Sequence, residues 1–265
     1  MSTRRGARVA VLVFPGTNSE EETIRACRAG GLETHLVSWT ASAQTVRGFD
    51  AYVLPGGFAY EDRVRAGAIA AHDRLMESVR EGAAAGKLVL GICNGAQILL
   101  EAGLAPDLDG STRPQAGFTR NLPGGRYRST HVHVRLAIAP ERCAISAALP
   151  SETVLPAWAS HGEGRLAADS RTLEAMQSHD HLAFVYCDRA GVTTPEAIPN
   201  GSALGVAGVV NRAGNVLALM PHPERDAWTF MHNDASRAKA RGDRAATLGV
   251  SGGIALFQSF AAALR

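Results

Sequence analysis

Lys87–Gly103, KLVLGICNGAQILLEAG, decides how this sequence is read. Its opening, Leu88-Val89-Leu90, is short and wholly apolar, as in a strand buried on both faces of a parallel sheet. Its end, Ala96–Leu100, has a helical pattern, with Gly103 placed to cap it. Between them stands Gly91-Ile92-Cys93-Asn94-Gly95. Glycines two before and two after a cysteine have the spacing of a G-x-S-x-G nucleophile elbow, with sulfur in place of oxygen. A sharp strand-to-helix turn brings backbone too close for side chains at Gly91 and Gly95, and lifts the residue between them above the sheet. The Asn94 N–H and the positive helix end would face the thiol, favouring thiolate and able to hold an oxyanion. A buried structural cysteine in a tight turn is the plainer reading. A base and a second oxyanion donor elsewhere would decide between them.

Upstream, the chain alternates strand and helix. Arg8–Phe14 reads as a buried strand, Pro15-Gly16-Thr17-Asn18 as a turn, and Ser19 with Glu22 as a capping box for a helix to Ala29. One turn glycine is not G-x-G-x-x-G, and Glu20, Glu21 and Glu22 would repel a phosphate, so no nucleotide site is expected there. Leu32–Trp39 and Ala51–Leu54 are the next strands, with a short helix near Ala43–Arg47. Pro55-Gly56-Gly57 then lets backbone N–H groups turn toward a ligand on the edge where Cys93 emerges, or forms a simple turn. Phe58–Gly67 is a loop feeding a helix over Ala68–Ala84. This β-α alternation predicts an α/β fold: a doubly wound, mostly parallel sheet with flanking helices.

The totals fit such a fold. A chain of 265 residues, 46% hydrophobic and 20% charged, buries a full core and is read as one domain over 1–265. The net charge of +2 gives no ground for nucleic acid or an acidic membrane surface. Four cysteines far apart, with no C-x-x-C, indicate neither zinc nor a disulfide framework and suit a reducing cytoplasm. Arg4-Arg5 precedes an apolar run too short for a signal peptide, and no segment reaches the length of a membrane span.

Downstream the texture changes. Pro106–Gly125 is loop-rich, and Ser129–Ile138 alternates like a strand with one solvated face. His131 and His133, with His179 and His181, form two H-x-H pairs, but no carboxylate cluster accompanies them and no metal is expected. Ala157–Arg165 and Ala183–Cys187 read as strands around a helix near Arg171–Gln177, Gly162 and Gly164 around Glu163 mark a loop of close backbone approach or a simple turn, and Val206–Val210 with Val216–Met220 read as a hairpin, adding an antiparallel β extension. The hairpin delivers Pro221-His222-Pro223-Glu224. Proline disfavours helix in the residue before it, so Met220 and His222 should be extended, with His222 and Glu224 on one face. A carboxylate beside an imidazole fixes its tautomer and raises its basicity; a His-Glu pair on a loop is the alternative. Arg225–Gly249 is polar and weakly patterned, an exposed insertion, and Ile254–Leu264 is an amphipathic last helix.

With these parts together the chain resembles the class I, triad-type glutamine amidotransferases of flavodoxin-like fold. Among them it is most similar to glutaminase subunits of phosphoribosylformylglycinamidine synthase. The matching pieces span most of the chain: Phe14–Asn18, Pro55–Phe58, Arg65–Ala70, Gly91–Gly95 with Gln97, His161-Gly162-Glu163-Gly164 and Met220–Arg225. The resemblance implies Cys93 as nucleophile, His222 as base and Glu224 as its orienter. Gly56 and Gly57 with Asn94 would form the oxyanion and substrate wall, and Gln97 would help seat L-glutamine. It further implies ammonia delivered to a synthetase subunit that uses ATP and Mg²⁺ to convert formylglycinamide ribonucleotide to formylglycinamidine ribonucleotide. A small bridging subunit completes the expected complex, and no cofactor is expected in this chain. Ala96, the Glu61–Val64 stretch and the length of 225–249 depart from the family pattern. A cysteine hydrolase of the same architecture, or a non-catalytic regulatory subunit, are the competing expectations. The first more often places its histidine directly after the cysteine, and the second has no need of Cys93, His222 and Glu224 together.

Overall fold

The computed structural model of the chain describes residues 6–231 and 249–265. Arg4-Arg5, and positions 232–248 of the expected 225–249 insertion, lie outside the described residues.

Four apolar runs build the parallel half of the sheet: β1 (Arg8–Val13), β2 (Glu33–Ser38), β3 (Ala51–Leu54) and β4 (Leu88–Ile92). Every residue of β3 and β4 is buried, as a strand covered on both faces requires. Beyond them run β5 (Gly117–Thr119), β6 (Arg128–Leu136), β7 (Val154–His161), β8 (Arg165–Ala167), β9 (Phe184–Cys187), β10 (Val206–Val210) and β11 (Val216–Leu219). Nine of these strands form one sheet in the order β2-β1-β3-β4-β11-β10-β9-β6-β7. Pairing is parallel from β2 through β11 and antiparallel from β10 onward. The hairpin β10–β11 is the seam: β11 lies parallel to β4, with Leu219 beside Ile92, so the chain leaves β11 next to the elbow.

Helices α1 (Glu20–Ala29), α2 (Ala43–Arg47), α3 (Arg74–Ala84), α4 (Asn94–Glu101) and α5 (Ser170–Ser178) flank the sheet, with a last helix over Ile254–Ala263. That last helix buries Ile254, Leu256, Phe257 and Phe260, and Phe257 lies so close to Gly30 that a Cβ there would meet its Cβ at 2.6 Å. None of the helices among the described residues is long and apolar enough to cross a membrane.

Several expectations are corrected. The helix foreseen over 68–84 begins only at Arg74, because Asp73 is extended and its carboxylate caps the Leu75 N–H at 2.8 Å. Residues 70–72 before it form a separate 3₁₀ turn. Ser19 and Glu22 make no capping box; Ser19 stands at the N-cap without a side-chain cap bond. Both side chains instead hold the Arg225 guanidinium, from Nη2 to Ser19 Oγ at 2.9 Å and from Nε to Glu22 Oε1 at 2.8 Å. Bonds to a charged donor outweigh the neutral cap. The loop marked by Gly162 and Gly164 separates β7 from β8, and β8 pairs with β5 inside the segment read as loop. The start of the expected exposed insertion is also buried, with Asp226 and Ala227 both at 0% exposure.

Candidate active site

The elbow forms as its glycines require. Cys93 has φ 51° and ψ −106°, a backbone that a non-glycine residue adopts only when its surroundings impose it. A Cβ on Gly91 would meet the Gly95 carbonyl oxygen at 2.6 Å, and one on Gly95 would run into the Leu54 carbonyl. The Cys93 N–H is held by the Leu219 carbonyl of β11 at 2.9 Å, so the seam of the sheet aims the nucleophile. Its Sγ lies 3.7 Å from the Ser160 carbonyl oxygen at the end of β7.

His222 approaches from the other side of Gly56. A Cβ on Gly56 would meet His222 Cε1 at 2.5 Å and Cys93 Cβ at 3.4 Å, so glycine lets imidazole and thiol share one space. His222 is extended and pairs with Trp158 through mutual backbone bonds of 2.8 and 3.1 Å. The chain then turns: Pro223 is helical in φ/ψ and Glu224 opens a 3₁₀ turn. A turn, and not the extended run read from the prolines, brings Glu224 Oε1 to 2.5 Å from His222 Nδ1. Both side chains are sealed from solvent, at 2% and 0% exposure. Among the described residues Glu224 Oε2 is buried without a partner, so its charge leans on the imidazole. Burial alone would lower the imidazole pKa, but the Glu224 and Cys93 charges outweigh it and push His222 up to about 9. Burial, with the Glu224 charge adding to it, raises the Cys27 thiol, and burial raises Cys143 and takes Cys187 to about 11, which leaves those three inert.

Two peptide N–H groups are the candidates for holding an oxyanion. Gly57 and Thr17 form an antiparallel bridge whose hydrogen bonds run from Phe58 N to Gly16 O and from Asn18 N to Gly56 O. In that arrangement the Gly57 N–H is left out of the ladder. The Asn94 N–H, at the first turn of α4, is likewise left over, as the first N–H groups of any helix are. Glycine is required at 57, where φ is 153° and a Cβ would meet Thr17 Cα at 2.7 Å.

The Asn94 and Gln97 side chains tie the elbow helix to its neighbours. Asn94 Oδ1 accepts from the Ala59 N–H at 2.9 Å, and Nδ2 donates to Gln97 Oε1 at 2.9 Å and Asp62 Oδ1 at 3.1 Å. Gln97 Nε2 donates to the Glu163 carbonyl at 2.6 Å, which among the described residues leaves one N–H and one lone pair unspent. The spacing of motifs singled out none of Ser19, Glu22, Asp62 or Arg225 as part of the site. Ser19 and Glu22 come from the expected cap to hold Arg225, which directly follows Glu224, and Asp62 bonds Asn94 from the loop after Gly57.

Comparison with known proteins places this geometry. The profile of the CobB/CobQ-like glutamine amidotransferase domain matches residues 6–262. Phosphoribosylformylglycinamidine synthase subunit PurQ of Symbiobacterium thermophilum is 48% identical over 219 residues, covering 82% of this chain and 87% of that protein. Its counterpart from Pyrococcus furiosus is 40% identical over 225 residues, covering 85% and 92%. Among solved structures, a chain of PurLQS from Thermotoga maritima superposes with a TM-score of 0.75 at 26% identity, covering 98% of this chain and 100% of that one.

Proposed function

This chain belongs to the CobB/CobQ-like glutamine amidotransferase family, and we propose that it works as the glutaminase subunit of a phosphoribosylformylglycinamidine synthase. The observation that carries the reading is a strained Cys93 and a buried His222–Glu224 pair meeting over Gly56. Neither rival reading is favoured: Asn94, not histidine, follows the cysteine, and a regulatory scaffold needs no sealed ion pair at an elbow.

Cys93 reacts as the thiolate, and His222, which its neighbours hold protonated, carries the proton for the leaving group. The thiolate attacks the side-chain amide carbon of L-glutamine, and the Gly57 and Asn94 N–H groups stabilise the oxyanion. His222 gives its proton to the leaving nitrogen as the C–N bond breaks, yielding ammonia and a Cys93 thioester. Neutral His222 then takes a proton from water, which attacks the thioester. Collapse releases glutamate and restores thiolate and imidazolium. Glu224 holds the imidazole in the tautomer that presents Nε2 to sulfur and substrate. In this reading the Gln97 amide helps seat the glutamine.

Ammonia has to reach its acceptor unprotonated, so we assign its use to the synthetase subunit, with a small bridging subunit completing the assembly. ATP and Mg²⁺ belong to that partner in this reading, because the sequence carries no Gly-rich phosphate loop. An electrophilic glutamine analogue provides the test. Intact mass should show one adduct, lost in Cys93→Ser and suppressed by glutamine. No adduct with the synthetase present, while iodoacetamide still alkylates Cys93, would overturn the reading.

A further inference from the structure

At the end of the sheet away from Cys93, the turn of the β10–β11 hairpin forms one wall of a second cavity. Val216 opens β11 beside Val89, whereas Leu219, at its other end, lies beside Ile92 and the elbow. The cavity measures about 360 Å³, and its walls include Arg142, Asp180, His181 and Arg212, with Leu108 and Ala175 as the apolar part. The turn is made rigid by its own bonds. Asn211 Oδ1 accepts from the Asn215 and Val216 N–H groups at 3.0 Å, and Asn215 Nδ2 donates to the Ala83 and Lys87 carbonyls at 2.8 and 2.9 Å. The Gly214 carbonyl accepts the Ala144 N–H at 2.8 Å, docking the turn that carries Arg212 against the segment that carries Arg142. A Cβ on Gly214 would stand 3.5 Å from Arg142 Nη1, so that guanidinium lies against the turn.

Among the described residues neither guanidinium makes an ion pair or a side-chain hydrogen bond, although Asp180 shares the cavity with both. The Asp180 carboxylate is likewise taken up by no described residue. Between them stands His181, only 2% exposed. Its Nδ1 lies 2.8 Å from the Val210 carbonyl, which can only accept, so Nδ1 carries the hydrogen and Nε2 is a lone pair. Nε2 has no partner among the described residues, an expense for a buried acceptor unless a ligand donates to it. Burial, and then the Arg142 and His179 charges, lower the His181 pKa against the pull of the Val210 bond and the Asp107 charge, which keeps the ring an acceptor.

An occupant that suits every wall carries an anion for two arginines, hydroxyl donors for His181 and Asp180, and a few carbons for Leu108 and Ala175. The guanidinium fork matches the oxygens of a phosphate group. Inorganic phosphate supplies the anion without the carbons, and a free sugar supplies the hydroxyls without the anion. The volume is that of a site for a small organic ligand and exceeds what a bare ion fills. We propose that this cavity binds a sugar phosphate, with the phosphate on Arg142 and Arg212 and sugar hydroxyls donating to His181 Nε2 and Asp180. No covalent bond changes there. The site lies one strand length from Cys93, shares no residue with it, and stands whether or not the glutaminase reading does.

Titration calorimetry of the full chain with ribose 5-phosphate, inorganic phosphate and ribose tests the proposal. Ribose 5-phosphate should bind one to one and about tenfold more tightly than inorganic phosphate, with no heat from ribose. Arg142→Met and Arg212→Met should each weaken the ester about tenfold, the loss expected from one charge-assisted contact. Both side chains are free of described partners, so these variants should keep the wild-type melting temperature. His181→Asn keeps a donor for Val210 and lacks the Nε2 acceptor, and should weaken the ester about fivefold. Alkylating Cys93 with iodoacetamide should leave the affinity unchanged. No heat from ribose 5-phosphate overturns the proposal, as does binding that both arginine variants retain in full. Inorganic phosphate binding as tightly as the ester overturns it too, since the cavity would then hold an anion alone. Binding lost on alkylation of Cys93 would place the ligand at the elbow and equally overturn it.

Discussion

Cys93 owes its aim mainly to backbone close around it, whereas His222 and Glu224 are held by side chains gathered from distant parts of the chain. On the cysteine side, Gly91 and Gly95 lie against Gly95, Leu99 and Leu54, and no side-chain bond is needed to set the strained φ. On the histidine side, Trp158 pairs with His222 while Ser19 and Glu22 hold Arg225, the residue next to Glu224. Asp226 adds bonds to His131 at 2.6 Å and Ser251 at 2.7 Å. Steric aim is local and stiff, because it fails only if the backbone moves. Aim by hydrogen bonds is distributed, so it can be loosened one contact at a time.

Removing the reacting atom should have the largest effect. Cys93→Ala should lower glutamate release by roughly 10⁵-fold, as loss of a covalent nucleophile does, while synthesis driven by added ammonia survives in the complex. Residual glutaminase within tenfold of wild type would place the nucleophile elsewhere. Glu224→Gln comes next, at about 10³-fold, because the amide can present the wrong hydrogen to Nδ1 and removes the charge that sustains the imidazolium. It carries a second signature. The His222 pKa near 9 is above its ordinary value of 6.5, so its contribution to stability is complete below about pH 6.5 and is lost as pH climbs through about 9. Wild-type melting temperature should fall across that window, and the Glu224→Gln variant should lack the fall. Identical profiles for the two proteins would show that the pair does not titrate as described.

Arg225→Met tests the distributed side more gently. Arg225 does not touch the reacting atoms; it fixes the turn that carries Glu224, so a loss of about tenfold in kcat with little change in KM is expected. Glu22→Gln should reproduce part of it. A loss confined to KM would mean that Arg225 meets substrate, and the contrast between the two sides would need redrawing.

The same contrast explains what could be read beforehand. The elbow, the four parallel strands and the glycines at 56 and 57 are written in short apolar runs and close spacings, where a residue's neighbours in sequence are its neighbours in space. Ser19 and Glu22 were misread for the opposite reason: their spacing is that of a capping box, and nothing near them announces a guanidinium from position 225. His222 and Glu224 pair as their spacing suggests, yet through the Pro223 turn, since proline constrains the residue before it more than its own ψ. The alternation of β6 and β7 marks them as strands without saying which neighbours they take. β5 and β8, three residues each, are too short for any period to show.

The smallest expected effect lies on the cysteine side, at Asp62. This carboxylate accepts from Asn94 Nδ2 inside a loop whose Tyr60, Glu61, Asp62 and Val64 all have positive φ. Burial, and then the Glu163 charge, raise its pKa to about 6, against only a weaker opposing pull from the Asn94 bond. A raised acid favours the fold in its neutral form: the contribution is complete below about pH 3.8 and is lost as pH rises through about 6. Above that window the protein carries a charged carboxylate it would be better without. Asp62→Asn keeps the acceptor for Asn94 and cannot ionise. It should therefore gain on the order of 1 kcal/mol over wild type at pH 8, after allowance for partial solvent screening, and nothing at pH 4. Chemical denaturation at the two pH values measures the difference. If the gain is the same at both, the raised pKa is not its source. If the variant loses stability at pH 8, the elbow side depends on a side-chain charge after all, and its steric self-sufficiency fails.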